Sequence, residues 1–152
     1  MRPFLYLSRG NFNTSRHGPL VDKIQYDRVW NYIQDGLAAG AKCNQGAVKL
    51  GSEGYFISPT IFEDVSDDMR IAREEIFGPV VVALKFKTID EVIERANDTM
   101  YGLAAAIHTN NHKNVVRMTN EVGAGTVWVN CYNMFFHQMP FGGFKVLLCW
   151  LI

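Results

Sequence analysis

Cysteine is scarce in this chain. Its three cysteines, Cys43, Cys131 and Cys149, are odd in number, widely spaced and without a CxxC pair. That argues against a disulfide framework and against a structural zinc site, and fits a reducing compartment. No apolar run approaches the roughly 20 residues needed to span a bilayer, so no membrane role is expected. An excess of charge of one sign is missing too. Lys plus Arg and Asp plus Glu number 15 each, and nothing in that balance points to nucleic acid or an anionic surface. The partner is expected to be a small molecule or another protein. His108 and His112 stand four apart but lack the glutamate of HExxH, so no metal is expected. No GxGxxG follows a strand: Gly123-Ala124-Gly125 precedes one, the wrong context for a phosphate cradle. There is no internal repeat and no low-complexity tract.

What is present reads as one globular domain, since 152 residues that are 48% hydrophobic and 12% aromatic can enclose a sizeable core. Residues 1–16 carry three arginines and no acid, which reads either as a transit peptide or as an unstructured, aberrant start; the apolar piece 4–7 is too short for a secretory signal. From Asp22, apolar residues Tyr26, Val29, Trp30, Ile33 and Leu37 recur at helical steps, and Gly40 supplies the stop. Residues 55–57 and 59–62 read as extended chain, with Pro59 at an edge or a strand start. Ser66, ahead of two aspartates, is a plausible cap for a short helix to about residue 73. Residues 80–86 read as a central strand, and Thr88 with Glu91 forms a capping box for a helix over 89–97, supported by Arg95 four residues beyond Glu91. A strand over 103–107, a helix capped by Asn110 or Asn111 and ended by Gly123, and a strand over 126–129 follow. Strand, helix, strand, helix, strand with short connections predicts an α/β fold built on a parallel sheet with crossover helices. Ligands gather outside the carboxyl ends of such strands, which is where residues 130–136 lie.

The stretch around which the chain is organised is Glu74-Glu75-Ile76-Phe77-Gly78-Pro79, running straight into Val80-Val81-Val82. It is a polar loop feeding a buried strand. A carboxylate and an aromatic ring two positions apart, held by a Gly-Pro turn, could bond the hydroxyls of a ribose and lean on a flat heterocycle. From the loop alone, a solvated acid and a core plug are the favoured readings of Glu75 and Phe77.

EEIFGPV, together with PTIF at 59–62, RAND at 95–98, YGLAAA at 101–106, GTVWVN at 125–130 and PFGGFK at 140–145, resembles the aldehyde dehydrogenases in order and approximate spacing. The chain is most similar to the class that includes the cytosolic and mitochondrial aldehyde and retinaldehyde dehydrogenases. The resemblance divides the chain into an unmatched 1–17, a partial catalytic domain over 18–145 and an unmatched apolar tail, 146–152. It implies part of the family's doubly wound catalytic-domain fold and oxidation of an aldehyde to a carboxylic acid. It further implies NAD or NADP as cofactor, NAD being the first choice, a homo-oligomer for the full-length enzyme, and a cytoplasmic or mitochondrial location. Glu75 and Phe77 match positions that bind a cofactor ribose and contact the nicotinamide; with the resemblance, that role becomes the favoured one. Asn133, Phe135 and Phe141 match positions lining the aldehyde tunnel, where an apolar wall accepts a hydrophobic aldehyde and excludes water. For Phe141 an ordinary core role is nearly as well supported.

The resemblance also implies absences. The family's cysteine nucleophile, glutamate base, oxyanion asparagine and nucleotide-binding domain would all lie before Gly18, so the expectation is a fragment without dehydrogenase activity of its own. The tail VLLCWLI suggests a truncated product of a mispredicted or retained-intron transcript. Cys131, with His137 six residues on, invites a thiol nucleophile and base, but a cysteine in this VNCY context is common in the family and is not its nucleophile. Cys43, beside Asn44-Gln45-Gly46, is a second decoy. Two alternatives stay open: a non-catalytic piece that associates with full-length subunits, and a small thiol enzyme using Cys131.

Overall fold

The computed structural model describes residues 17–147. The expected unmatched ends, with Cys149, fall outside the described residues except at 17 and 146–147. The chain divides into two compact units, one through Lys85 and one from Phe86.

The first unit opens with helix α1, Lys23–Ala38, whose N-terminus is closed by the Asp22 carboxylate accepting from the Gln25 amide at 2.8 Å. Its buried positions are Val29, Tyr32, Ile33 and Gly36, an i, i+3, i+4, i+7 stripe. This corrects the expected face. Leu37 is 41% exposed, because the seam against helix α2, Arg70–Arg73, runs over Gly36, where a Cβ would come within 2.9 Å of Ile71. Strands β1 (Lys42–Gln45), β4 (Thr60–Glu63) and β5 (Val80–Val82) form a sheet in the order β1-β4-β5, while β2 (Lys49–Leu50) and β3 (Phe56–Ile57) make a separate antiparallel pair. β4 starts directly after Pro59, as expected for a residue that cannot donate to the ladder. It runs antiparallel to β1 and parallel to β5, with Thr60 opposite Val80 and Phe62 opposite Val82.

Two expectations fail here. The strand read over 80–86 is only three residues long and lies at one side of its sheet: the Ala83 amide still reaches the Phe62 carbonyl at 2.9 Å, and beyond it the pairing stops. Ser66 does not cap α2, whose N-cap is Met69 with no side-chain bond. The Ser66 hydroxyl instead bonds Asp68 and holds that carboxyl below its usual range.

The second unit contains α3 (Ile89–Asn97), β6 (Ala104–Ile107), α4 (His112–Glu121) and β7 (Thr126–Val129). The Thr88 hydroxyl accepts from the Glu91 amide at 3.2 Å, while Glu91 reaches back to the Lys87 amide at 2.8 Å and pairs with Arg95 at 3.0 Å. Asn111 caps α4 through the Lys113 amide at 3.0 Å. β6 and β7 are parallel, Ala104 opposite Thr126 through Ile107 opposite Val129, with α4 as the crossover between them. The α/β class and its parallel strands therefore stand, but β5 bonds to β4 and β6 to β7, in two different sheets among the described residues.

Candidate functional site

The loop over 74–79 leaves α2 in extended conformation, with Glu74 at φ −110° and ψ 152°. Glu74 faces α1: its carboxylate accepts from the Tyr32 hydroxyl at 2.7 Å and from Arg70 Nε at 3.1 Å. Glu75 is exposed. Ile76 is 8% exposed, Phe77 is 74% exposed, and Gly78 presses on α1 so closely that a Cβ would sit 2.5 Å from Val29. Phe77 has a left-handed backbone, φ 54°, a conformation costly for an aromatic residue unless its surroundings enforce it. Enforcement comes from Gln25, whose side-chain amide donates to the carbonyls of Ile76 at 3.2 Å and Phe77 at 2.9 Å. The Pro79 carbonyl then accepts from Thr60 at 2.8 Å and seats the loop on the β4–β5 ladder. The two residues matched to cofactor contacts, Glu75 and Phe77, are both exposed, on a loop tied to α1 through Glu74 and the Ile76 and Phe77 carbonyls.

Asn133, Phe135 and Phe141 belong to the second unit, where they follow β7. Asn133 is exposed and left-handed, φ 61°, which asparagine tolerates better than most residues. Phe135 stands edge-on to Trp128 at 5.4 Å and to Phe141 at 5.0 Å, and Tyr132 packs on Trp128 at 5.3 Å. Trp128, itself buried, donates its indole N–H to the Met134 carbonyl at 2.9 Å and so fixes the chain that carries Phe135. The result is a wall of edge-to-face rings, with Phe135 54% and Phe141 42% exposed. The structure brings these two phenylalanines into contact; Asn133 lies on the same segment without joining the ring contacts described.

Three of the sequence motifs converge beneath that wall. The Gly102 carbonyl accepts from the Gly125 amide at 3.1 Å and from the Phe144 amide at 2.8 Å, tying YGLAAA, GTVWVN and PFGGFK together. A Cβ at Gly125 would lie 1.9 Å from the Gly142 carbonyl oxygen. Asn97 of RAND bonds the Glu121 carbonyl and the Gly123 amide, both at 2.7 Å, and Lys145 donates to the carbonyls of Asn97 at 2.9 Å and Thr99 at 3.1 Å. Asn130 folds back on Thr109, accepting from its amide at 2.8 Å and donating to its carbonyl at 3.1 Å.

A shallow depression of about 400 Å³ lies at the carboxyl ends of β6 and β7, lined by Thr109, Asn110, His112, Val115, Val129 and Asn130. None of the five expected site residues lines it. Cys131 is half-buried and His137 exposed, and among the described residues no hydrogen bond joins them. Among those residues no group of three His, Cys, Asp or Glu side chains could hold a metal, and no helix is long and apolar enough to cross a membrane. Sequence reasoning missed Gln25 and Tyr32 as supports of the cofactor-matched loop. The amphipathic pattern of α1 accounted for a helix face but gave no sign of partners 42 to 52 positions away.

A family profile described as the aldehyde dehydrogenase family matches residues 7–146. Retinal dehydrogenase 2 of Mus musculus is 54% identical over 133 residues, covering 88% of this chain and 26% of its own length. A mitochondrial aldehyde dehydrogenase of Leishmania tarentolae is 54% identical over 136 residues, covering 90% and 27%. Among solved structures, the NAD+ complex of an aldehyde dehydrogenase from Bacillus cereus superposes with a TM-score of 0.90 at 48% identity, over 93% of this chain and 29% of that one. The chain spans about a quarter of the length of the curated relatives it matches.

Proposed function

Because the chain belongs to the aldehyde dehydrogenase family, we propose that it supplies the cofactor loop and part of the aldehyde wall of an NAD(P)-dependent enzyme that oxidises aldehydes to carboxylic acids. In this reading Glu75 accepts from the hydroxyls of a cofactor ribose and Phe77 offers its face to the nicotinamide. Asn133, Phe135 and Phe141 shape the approach of an apolar aldehyde. The residues present suit the group: a carboxylate offers two acceptor oxygens to a vicinal diol, and an exposed ring offers an apolar face to a flat heterocycle. Bound NAD would supply the hydride acceptor; this chain's own residues bind and orient. The thiolate that attacks the aldehyde carbon and the glutamate that activates water in this family have no counterpart in the matched segment. The chain alone is therefore expected to turn over no aldehyde.

The observation that carries this reading is the exposure of Glu75 and Phe77 on a loop that α1 holds through Glu74 and the Phe77 carbonyl. The test is thermal unfolding of residues 1–152 with and without saturating NAD or NADP. A ligand at about 100 times its dissociation constant stabilises a folded state by about 2.7 kcal/mol. An upward shift with NAD that Glu75→Gln and Phe77→Ala each diminish supports the proposal; a cooperative transition that neither cofactor moves refutes it.

A second reading has its own support. The apolar row Tyr132, Met134, Phe135, Phe136 and Met139 is more than half exposed, and such a surface favours association with another apolar surface. Under that reading the chain binds full-length subunits of the same family without catalysing anything. Co-purification with such subunits, lost in a Phe135→Ser, Phe136→Ser double variant, would favour it.

A further inference from the structure

Two residues that stand opposite each other dock the β2–β3 pair on α1. Lys49 of β2 faces Ile57 of β3 in antiparallel register, and opposite residues of such a pair put their side chains on one face. That face is turned to α1: Ile57 is 1% exposed, in the core with Val29 and Ile33. Lys49 is exposed, and its ammonium lies 5.0 Å from the centroid of the Tyr26 ring and 4.8 Å from that of Trp30. Tyr26 and Trp30 are four apart on α1, so one side of the helix offers both rings. A ring quadrupole attracts a cation over its face, and tryptophan does so most strongly. Lys23, on the same helix, pairs instead with the Asp27 carboxylate.

The two strands are not held alike. β3 is fixed by the burial of Ile57, whereas β2 buries neither of its residues. The chain enters β2 through two left-handed residues, Gly46 at φ 90° and Ala47 at φ 58°, and the second is strained because it carries a Cβ. It leaves β2 through a turn that contains Gly51 and Gly54, both left-handed, where glycine moves easily between backbone regions. A pairing of two residues is marginal by itself. With a strained entry and a permissive exit, β2 depends on the Lys49 ammonium for its hold on α1.

We propose that Lys49 is an acylation site, and that its positive charge, seated on Tyr26 and Trp30, is the switch that keeps β2 on α1. The donor class is an acyl thioester. The ammonium first gives a proton to solvent, and the neutral amine attacks the thioester carbonyl. An N–C bond forms as the C–S bond breaks, and the proton that the nitrogen then sheds leaves with the sulfur as a thiol. The product amide is uncharged, so the attraction to both rings is lost. Because the rings favour the ammonium, Lys49 leaves its seat before it reacts, and the acyl group then traps the released strand. This device does not depend on the cofactor reading given above.

The experiment uses the full chain with Nε-acetyllysine installed at position 49, beside Lys49→Gln, Lys49→Arg and Lys49→Met. Amide exchange is read at Val48, which donates to Ser58 Oγ, at Ser58, which donates to the Val48 carbonyl, and at Leu20, which donates to the Tyr55 carbonyl. The Ala83 amide, bonded to the Phe62 carbonyl in the other sheet of this unit, reports that the fold is kept. Acetyllysine and Lys49→Gln should speed exchange at the three amides about tenfold, the worth of two exposed cation–π contacts. Lys49→Arg should keep the wild-type rates, and Lys49→Met, which retains a stem without the charge, should behave like Lys49→Gln. In the wild type a small acetyl thioester should modify Lys49 about tenfold more slowly than the exposed Lys42 of β1, the same hold met from the other side. Unchanged exchange in the acetylated chain overturns the proposal. So does a methionine variant that keeps β2 as well docked as lysine does, since the aliphatic stem would then be the clamp. Equal acylation of Lys49 and Lys42 overturns it too, because the rings would not be holding the ammonium.

Discussion

The two units are held together by different means. The first has a layered core: Val29, Tyr32 and Ile33 of α1 meet Ile57, Phe62 and Ile71 from the strands and α2, all nearly excluded from solvent. The second buries a small cluster, Ile93, Met118 and Val122, with Trp128 at its strand, and exposes Phe135, Phe136, Met139 and Phe144 by half or more. What it lacks in buried side chains it makes up in backbone approach and clamps. Gly125 lies against Gly142, Gly102 takes two amides, and Asn97 and Lys145 tie up the ends of helices and turns. Stability in the first unit should therefore follow volume, and in the second it should follow glycines and side-chain-to-backbone bonds. The outward residues follow the same division. In the first unit Glu75 and Phe77 stand exposed on a loop tied to α1 by polar bonds at Glu74 and at the Phe77 carbonyl; in the second a buried tryptophan and a stack of rings hold Phe135 and Phe141.

The largest effect expected from this contrast is at Phe62, fully buried at the middle of the first core. Phe62→Ala should cost about 4 kcal/mol, lost hydrophobic transfer and a cavity together. Urea denaturation read by amide exchange over 56–63 measures it, and a loss below about 1.5 kcal/mol would show a core able to collapse around the gap. Next comes Gly125→Ala. The added methyl would meet the Gly142 carbonyl oxygen at 1.9 Å and the Gly143 Cα at 3.0 Å, both backbone atoms that cannot rotate aside. A cost of about 3 kcal/mol is expected, with loss of the aromatic near-ultraviolet dichroism of the Trp128 and Phe135 stack. Gly18→Ala, where nothing lies within 4 Å, is the control and should be near neutral. If Gly125→Ala is equally benign, the second unit is not held by close backbone approach and the contrast fails.

Local chemistry was legible in the sequence at most helix ends, the Ser66 cap excepted. The Thr88 cap with its Glu91 partner, a cap at one of the two asparagines offered for α4, and the strand Thr126–Val129 occur as read, because each depends on neighbours within four positions; the Asp22 cap of α1 was not read. Pairing was not legible. A run of β-branched residues predicts extended chain but cannot say that β5 stops at Val82 beside β4, nor that β6 and β7 share a sheet without it. Helical periodicity gave α1 its length yet missed the centre of its buried face, since a glycine at 36 counts as neither apolar nor large and is buried because α2 needs the room. The motifs pointed to the loop and to the ring wall. The groups that aim them, Gln25, Tyr32 and Trp128, are ordinary helix and strand residues until the chain folds.

The smallest of the expected effects tests the clamps themselves. Asn97 is half-buried, and its side chain serves two orphan groups at once: its amide donates to the Glu121 carbonyl at the end of α4, and its oxygen accepts from the Gly123 amide, both at 2.7 Å. Removing both bonds leaves the part-buried Gly123 amide without its acceptor and the more exposed Glu121 carbonyl to water, so Asn97→Ala should cost about 2 kcal/mol. Asn97→Asp separates the two roles. The carboxylate keeps the acceptor for Gly123 but loses the donor, and it brings negative charge to the carbonyl end of α4, where the helix dipole disfavours it. At neutral pH thermal unfolding should therefore place Asn97→Asp no higher than Asn97→Ala. It should recover as the pH is lowered and the new carboxyl protonates, becoming once more a donor beside an acceptor. An aspartate variant as stable as the wild type at neutral pH would mean that the Glu121 bond contributes nothing, and that the second unit depends on its small core after all.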